Sequence, residues 1–169
     1  MVLTTTLSAT NSNSYVTVAE LDTYALEYSG VDLSAVAEID KEQFLRRAVQ
    51  YMDLTWKWVG VKMESAQRLG WPRSSNVLVD GTPIPTDVIP QAIKDAQCEI
   101  ALALNASIDL APVVEGGIVI KETVKAGPVM TSTEFVGAEA SPRVTMANNL
   151  LKHYSIGGGS DNTTDMVRG

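Results

Sequence analysis

Four stretches of the chain carry apolar residues at the three- and four-residue spacing of an amphipathic helix. They are predicted to begin after Thr17, after Asp40, at Pro90 and at Ser141-Pro142. In the first, Thr17 and Glu20 form a capping-box pattern, and Gly30 is placed to end the helix. The predicted apolar faces are Val18, Leu21, Ala25 and Tyr28; Leu45, Ala48, Val49, Met52 and Trp56; Ile93, Ala96, Ile100, Ala103 and Leu104; and Val144, Ala147, Leu151 and Tyr154. The third helix is predicted to be central because apolar residues widen its buried surface.

Strand-like alternation is confined to residues 118–125 and 129–136, on either side of Ala126-Gly127-Pro128. These segments predict one β-hairpin, which needs a partner surface because an isolated hairpin is marginally stable. Residues 60–90 form a long connection rich in proline and glycine, which we expect to be held down by its own side chains.

The two ends of the chain lack periodicity, so residues 1–13 and 156–169 are predicted to be flexible arms around one domain, residues 14–155. The predicted fold class is mainly α: a small four-helix core with one β-hairpin, a long Pro/Gly-rich loop and flexible termini. A chain of 169 residues with 45% hydrophobic residues is sufficient for one buried core. No membrane span or signal peptide is expected, and the single cysteine, Cys98, fits a reducing cytosol.

The net charge is −7, which argues against an autonomous nucleic-acid binder, because such binders neutralise phosphates. The charge is uneven along the chain. Residues 1–40 contain six acids and no base, whereas residues 41–73 contain seven bases and three acids. The two regions are either solvated faces or surfaces that pair between like subunits.

Catalytic and metal-binding patterns are scarce. His153 is the only histidine and falls late in a predicted helix, while Cys98 falls in the most apolar helix, where a free cysteine is usually a buried hydrophobe. The sequence has no spacing typical of a zinc, calcium or phosphate-loop site. We therefore expect no enzyme activity, no cofactor and no metal.

The most unusual local sequence is Trp71-Pro72-Arg73. Together with Trp56, these residues are predicted to be structural anchors of a packed loop. Two alternatives stay open: stacking of Trp71 on the bases of single-stranded nucleic acid, and a contact between subunits.

Several strings of the sequence resemble those of the head–tail adaptor (connector) proteins of tailed bacteriophages. They are Ser14-Tyr15-Val16-Thr17, Leu45-Arg46-Arg47-Ala48, Tyr51-Met52-Asp53, the run from Gln67 to Arg73, Asp80-Gly81, Ile84-Pro85, Ile89-Pro90, the run from Ile93 to Ala101, and the run from Val124 to Val129. Some relatives of that family are labelled single-stranded DNA-binding, primosome-like proteins.

The resemblance implies a structural virion protein that forms a ring, with about twelve subunits, between portal and tail. Its expected partners are the portal protein, tail or nozzle proteins and copies of itself. Double-stranded DNA would only pass through the channel during genome ejection, and no membrane is involved. The expected location is the portal–tail junction of the virion, after synthesis in the cytoplasm of the bacterial host.

Residues expected to contact partners or neighbouring subunits are Arg46, Arg47, Ile118, Ile120, Phe135, Ile156 and Met166. The alternative function is that of a single-stranded DNA-binding replication protein.

Overall fold

Four α-helices form the frame of the molecule. The computed structural model describes residues 3–74, 78–79, 82–108, 110, 122–126, 129–133 and 142–156. The helices are α1 (Val18–Ser29), α2 (Glu38–Thr55), α3 (Gln91–Asn105) and α4 (Pro142–Leu151), followed by a 3-10 turn at Lys152–Tyr154. The predicted fold class, mainly helical with four helices and a β-hairpin, is confirmed.

Helix α1 begins and ends at the residues that its sequence indicates. The Thr17 N–H donates to the Glu20 carboxylate at 2.7 Å, and the Glu20 N–H donates to the Thr17 hydroxyl at 3.2 Å. Gly30 ends the helix with φ of +62°, a left-handed conformation that glycine adopts without steric cost. The buried face includes Tyr24, whereas Tyr28, predicted to face the core, is 75% exposed and stacks on Tyr24.

Helix α3 occupies the centre of the fold. It contacts α1, α2 and α4, and ten of its fifteen residues are buried. Helix α2 turns Leu45, Ala48, Val49 and Met52 inward, and α4 contributes Val144, Ala147 and Leu151. A helix covered on three sides has to be apolar around most of its circumference, as the sequence of α3 is.

The connection between α2 and α3 contains two short antiparallel pairings that the sequence did not predict. β1 (Val61–Lys62) pairs with β2 (Arg73–Ser74), and β3 (Leu78–Val79) pairs with β4 (Thr82–Pro83). The predicted hairpin is formed by β5 (Glu122–Ala126) and β6 (Val129–Thr133), with Ala126 opposite Val129. Residues 118–121 and 134–136 of the predicted strands lie outside the described residues.

The residues after α4 turn back onto the end of α2. The Val59 N–H donates to the Tyr154 carbonyl at 3.1 Å, and the Ile156 N–H donates to the Lys57 carbonyl at 2.6 Å. Trp58 and Ser155 form the antiparallel bridge between these contacts. The two segments, 57–59 and 154–156, are therefore fixed side by side.

The N-terminal residues lie against the body of the domain. The Asn13 N–H donates to the Thr4 carbonyl at 2.9 Å, the Arg68 N–H donates to the Ala9 carbonyl at 3.3 Å, and the Leu3 N–H donates to Glu42 at 3.4 Å. These bonds place residues 3–13, predicted to be an arm, beside α2 and the connection. In the predicted C-terminal arm, residues 157–169 lie outside the described residues.

Trp71 is the largest fully buried side chain of the described core, with 2% of its surface exposed. Its ring meets the rings of Trp58 and Tyr154 edge to face, with centroids 6.1 and 5.8 Å apart. Removing it leaves a cavity at the point where the connection joins the helices.

We expect Trp71→Ala to lower the free energy of unfolding by about 3–5 kcal/mol. Thermal or urea unfolding followed by far-UV circular dichroism measures the change. A Leu26→Ala variant, at an exposed position of α1, is the control and should unfold like the wild type. A Trp71→Ala transition that coincides with the wild type would contradict the packing role.

Candidate functional site

A largely buried carboxylate organises the start of the connection. Asp53, near the end of α2, accepts hydrogen bonds from the Tyr15 hydroxyl at 3.0 Å, the Trp58 indole N–H at 2.9 Å and the Gly70 N–H at 2.9 Å. The Tyr15 hydroxyl in turn accepts from the Trp71 N–H at 3.2 Å. One side chain of α2 thus holds three segments that are far apart in sequence.

The close approach of Gly70 to this carboxylate requires a residue without a side chain. A Cβ atom at position 70 would lie 2.5 Å from both the Asp53 Oδ1 and the Trp58 Nε1 atoms. Two further side chains hold the loop by its carbonyl groups. Arg73 donates to the carbonyls of Val59, Gly60 and Gly70, and Gln67 donates to those of Leu69 and Pro72.

Burial changes the ionisation of the Asp53–Tyr15 pair. Desolvation raises the pKa of Asp53 above its usual value, and the hydrogen bonds from Gly70, Trp58 and Tyr15 only partly offset this effect. Burial, followed by the charge of Asp53, raises the pKa of Tyr15 well above its ordinary value. The phenol therefore stays protonated and continues to donate to Asp53.

The tryptophans of this region are part of the core. Trp56, Trp58 and Trp71 are all buried, and the rings of Trp58 and Trp71 pack against each other. Base stacking requires an open ring face, so these side chains are not available to a ligand in this conformation.

Eight of the described basic residues fall into two groups. In the first group, each cation forms an ion pair with an acid at 2.8 to 3.2 Å: Lys41 with Asp22, Arg46 with Glu42, Lys94 with Glu20, and Arg143 with Glu99. Three of these pairs join two helices and Arg46–Glu42 lies within α2, and in all four the charges are neutralised locally.

The second group lies on the segment from Trp56 to Ser74, which we name the basic connection. It carries Lys57, Lys62, Arg68 and Arg73 but a single acid, Glu64. None of the four bases forms an ion pair with a described acid. Arg73 is used to hold carbonyls, and Lys62 donates to the Gln67 carbonyl at 3.1 Å. The exposed side chains of Lys57 and Arg68 make no side-chain hydrogen bond to a described residue.

Exposed apolar side chains lie among these charges. Val61 and Met63 flank Lys62 in the chain, with 67% and 42% of their surfaces exposed, and the exposed Leu54 lies in the last turn of α2, shortly before Lys57. Ile156, held to Lys57 by its main chain, is also exposed. The surface of the basic connection therefore combines positive charge with apolar contact area.

The structure brings some of the residues singled out in the sequence together. Trp56, Trp71, Pro72 and Arg73 all belong to the basic connection, where Trp71 and Pro72 are joined by a cis peptide bond. Arg46 is half-buried beside Glu42, Arg47 is exposed on α2, and Ile156 is exposed next to Lys57. The remaining candidates lie outside the described residues: Ile118, Ile120, Phe135 and Met166.

Sequence reasoning did not identify Asp53, Tyr15 and Gln67 as the residues that shape the site. A lone acid near the end of a helix carries no signal for the partners it will meet. The sequence did contain a signal for three exposed bases of the site, because Lys57, Lys62 and Arg68 contribute to the positive excess of residues 41–73. That excess was interpreted either as a solvated face or as a contact between like subunits.

Comparison with known protein families gives a match over the full sequence. The family described as "Putative DnaT-like ssDNA binding protein" matches residues 1–169, the whole chain. No curated protein and no solved structure matches the chain.

This match contradicts the head–tail adaptor expectation and favours the alternative drawn from the sequence. Four further expectations are therefore also wrong. They are a ring, partners among the portal, tail and nozzle proteins, double-stranded DNA that only passes through a channel, and a location in the virion. The net charge of −7 is a sum over the whole chain, whereas recognition depends on the charge of one surface.

The raised pKa of Asp53 predicts a specific pH dependence. Its folded-state pKa lies above its unfolded value, so its contribution to stability is lost as pH rises through the carboxylate range. The amide that replaces this carboxyl in Asp53→Asn does not titrate. We therefore expect the unfolding free energy of the wild type, minus that of Asp53→Asn, to become smaller as pH rises from about 3 to 7.

Urea unfolding of both proteins across this range measures the difference. Subtraction removes the opposite effect of Glu20, whose pKa is lowered by bonds from Thr17 and Lys94 in spite of its partial burial. Glu64→Gln, at an exposed position, is the control for the removal of one carboxylate. A difference that grows with pH for Asp53→Asn would contradict the assignment.

Proposed function

The chain belongs to the DnaT-like family, and on that premise we propose that it binds single-stranded DNA through the basic connection and acts in DNA replication. The observation that carries the proposal is the division of the cations into two groups. Lys57, Lys62 and Arg68 are exposed and unpaired with any described acid, whereas four other described bases are neutralised.

Binding to a phosphate backbone depends on cations that are not already neutralised by an acid. A protein gains affinity by replacing the counterions of the phosphates, and a base that already holds an acid gives little in that exchange. The side chains of Lys57 and Arg68 can turn toward phosphates without breaking a described hydrogen bond. Arg47, exposed on α2, shares the helical spacing of Gln43, Gln50 and Leu54, and none of these four exposed positions carries an acid.

The apolar side chains favour a single strand over a duplex. A duplex buries the faces of its bases, whereas a single strand exposes them for contact with a protein. Val61 and Met63 precede and follow Lys62 in the chain and add exposed apolar area to the basic connection, which the bases of a single strand can contact.

The negative net charge of the chain opposes binding. Of the acids of α1, Glu20 and Asp22 each pair with a lysine. The net charge of −7 over the whole chain lowers long-range attraction to DNA without removing the local contacts. We expect moderate affinity that weakens as salt rises.

We also propose that the protein acts by binding and not by catalysis, and this expectation stays a prediction. Burial raises the pKa of the Cys98 thiol, which disfavours the reactive thiolate. His153 is exposed on the 3-10 turn. Among the described residues there is no group of three His, Cys, Asp or Glu side chains that could hold a metal, and no described helix is long and apolar enough to cross a bilayer.

The test is fluorescence anisotropy with a labelled oligothymidylate of about 20 nucleotides, titrated at several salt concentrations. We expect Lys57→Gln and Arg68→Gln each to weaken binding and to reduce the slope of log affinity against log salt by about 0.7, the loss of one phosphate contact.

Lys94→Gln is the matched control because it removes the same charge from the ion pair with Glu20. It should leave the salt slope unchanged. Equal effects of all three substitutions would indicate a response to net charge only, and absence of any salt-dependent binding by the wild type would contradict the function.

A further inference from the structure

We propose that the pocket beside Tyr154 receives one unstacked nucleobase of the bound strand. This inference rests on the proposed function and specifies where a base would go. The pocket has a volume of about 260 Å³, and its walls are formed by Pro83, Pro85, Pro90, Ile84 and Val88. Tyr154 and Gln91 complete the lining.

The residues that line the pocket suit a nucleobase and not a phosphate group. None of the seven lining residues carries a charge, so an anion would lose its hydration without gaining a counter-ion. The proline rings and the half-buried Tyr154 ring offer flat apolar surface to a planar heterocycle. The nearby acid Asp87 lines a different cleft, together with Thr5 and Lys94.

Gln91 supplies a polar group suited to the edge of a base. Its side-chain N–H donates to Asp95 at 2.8 Å, which orients the amide. The carbonyl oxygen and the second amide hydrogen are then left for a ligand, and this donor–acceptor pair matches the alternating donors and acceptors on base edges.

Tyr154 joins the pocket to the basic connection. Its carbonyl accepts from the Val59 N–H, and its neighbour Ile156 donates to the Lys57 carbonyl. The ring itself packs on Trp71, with centroids 5.8 Å apart. A strand whose phosphate meets Lys57 therefore passes beside the residue that forms one wall of the pocket.

Other exposed tyrosine surface is less suitable for this role. Tyr28 stacks on Tyr24 in a groove that also contains Glu20, Lys94 and Asp95. No residue of the basic connection lines that groove, whereas the main chain of Tyr154 is bonded to Val59. Continuity with the basic connection therefore favours Tyr154.

The experiment compares two labelled probes, oligothymidylate and an abasic deoxyribose-phosphate oligomer of the same length. We expect Tyr154→Ala to bind oligothymidylate about tenfold more weakly than the wild type, because one base contact is lost. Its salt slope should be unchanged, since the pocket neutralises no phosphate. On the abasic probe, the wild type and Tyr154→Ala should bind alike.

Three variants guard against a change in folding. Tyr154→Phe keeps the ring and should bind oligothymidylate within about twofold of the wild type. Tyr28→Ala removes a more exposed tyrosine from the other groove and should have no effect. Gln91→Ala, which loses only the described side-chain bond to Asp95, should weaken oligothymidylate binding about threefold and leave abasic binding unchanged.

The outcomes separate this inference from the proposed function. If the wild type binds neither probe, both fail. If the wild type binds and Lys57→Gln lowers the salt slope, but Tyr154→Ala and Gln91→Ala bind oligothymidylate like the wild type, only the pocket is contradicted. If Tyr154→Ala weakens binding to oligothymidylate and to the abasic oligomer equally, the pocket assignment is also contradicted.

Discussion

The arrangement of the basic connection depends on the carboxylate of Asp53. The helices bury enough apolar surface to form a core, but apolar packing alone does not decide where a long irregular segment lies. Asp53 fixes the position of this segment, because its oxygens accept hydrogen bonds from the Tyr15 hydroxyl, the Trp58 indole N–H and the Gly70 main-chain N–H. A buried charge is tolerated only with such a set of donors, so the carboxylate and the loop require each other. The position of Lys57 and Arg68 at the surface follows from this contact.

The helices could be predicted because their signals are local. Thr17 and Glu20 cap α1 through atoms three residues apart, and the inward residues of α2 repeat at helical spacing. Tyr28 shows where such a pattern fails. The helical spacing places Tyr28 on the apolar face, but α1 ends one residue later, and the exposed ring of Tyr28 stacks on Tyr24. The short pairings of β1 with β2 and of β3 with β4 have two residues per strand, too few to produce alternation.

The candidate site was harder to predict than the fold. The partners of Asp53 come from three distant parts of the chain, and no periodicity records them. Trp71 was open to three interpretations, a core anchor, a stacking platform or a subunit contact, because the same side chain serves all of them; only its burial distinguishes them. The positive excess of residues 41–73 was visible, yet its meaning depended on which bases are already paired. Lys41 and Arg46 are paired with acids, whereas Arg47 and the bases of the basic connection form no ion pair with a described acid.

The guanidinium of Arg73 has a consequence for the entropy of binding. By holding the carbonyls of Val59, Gly60 and Gly70, it ties the two ends of the basic connection together before any ligand arrives. Backbone order that already exists in the free protein is not lost again when a strand binds. For the proposed binding of a single strand, what would remain to be fixed is a few long side chains and the nucleic acid itself, so the conformational cost of recognition would fall on the DNA.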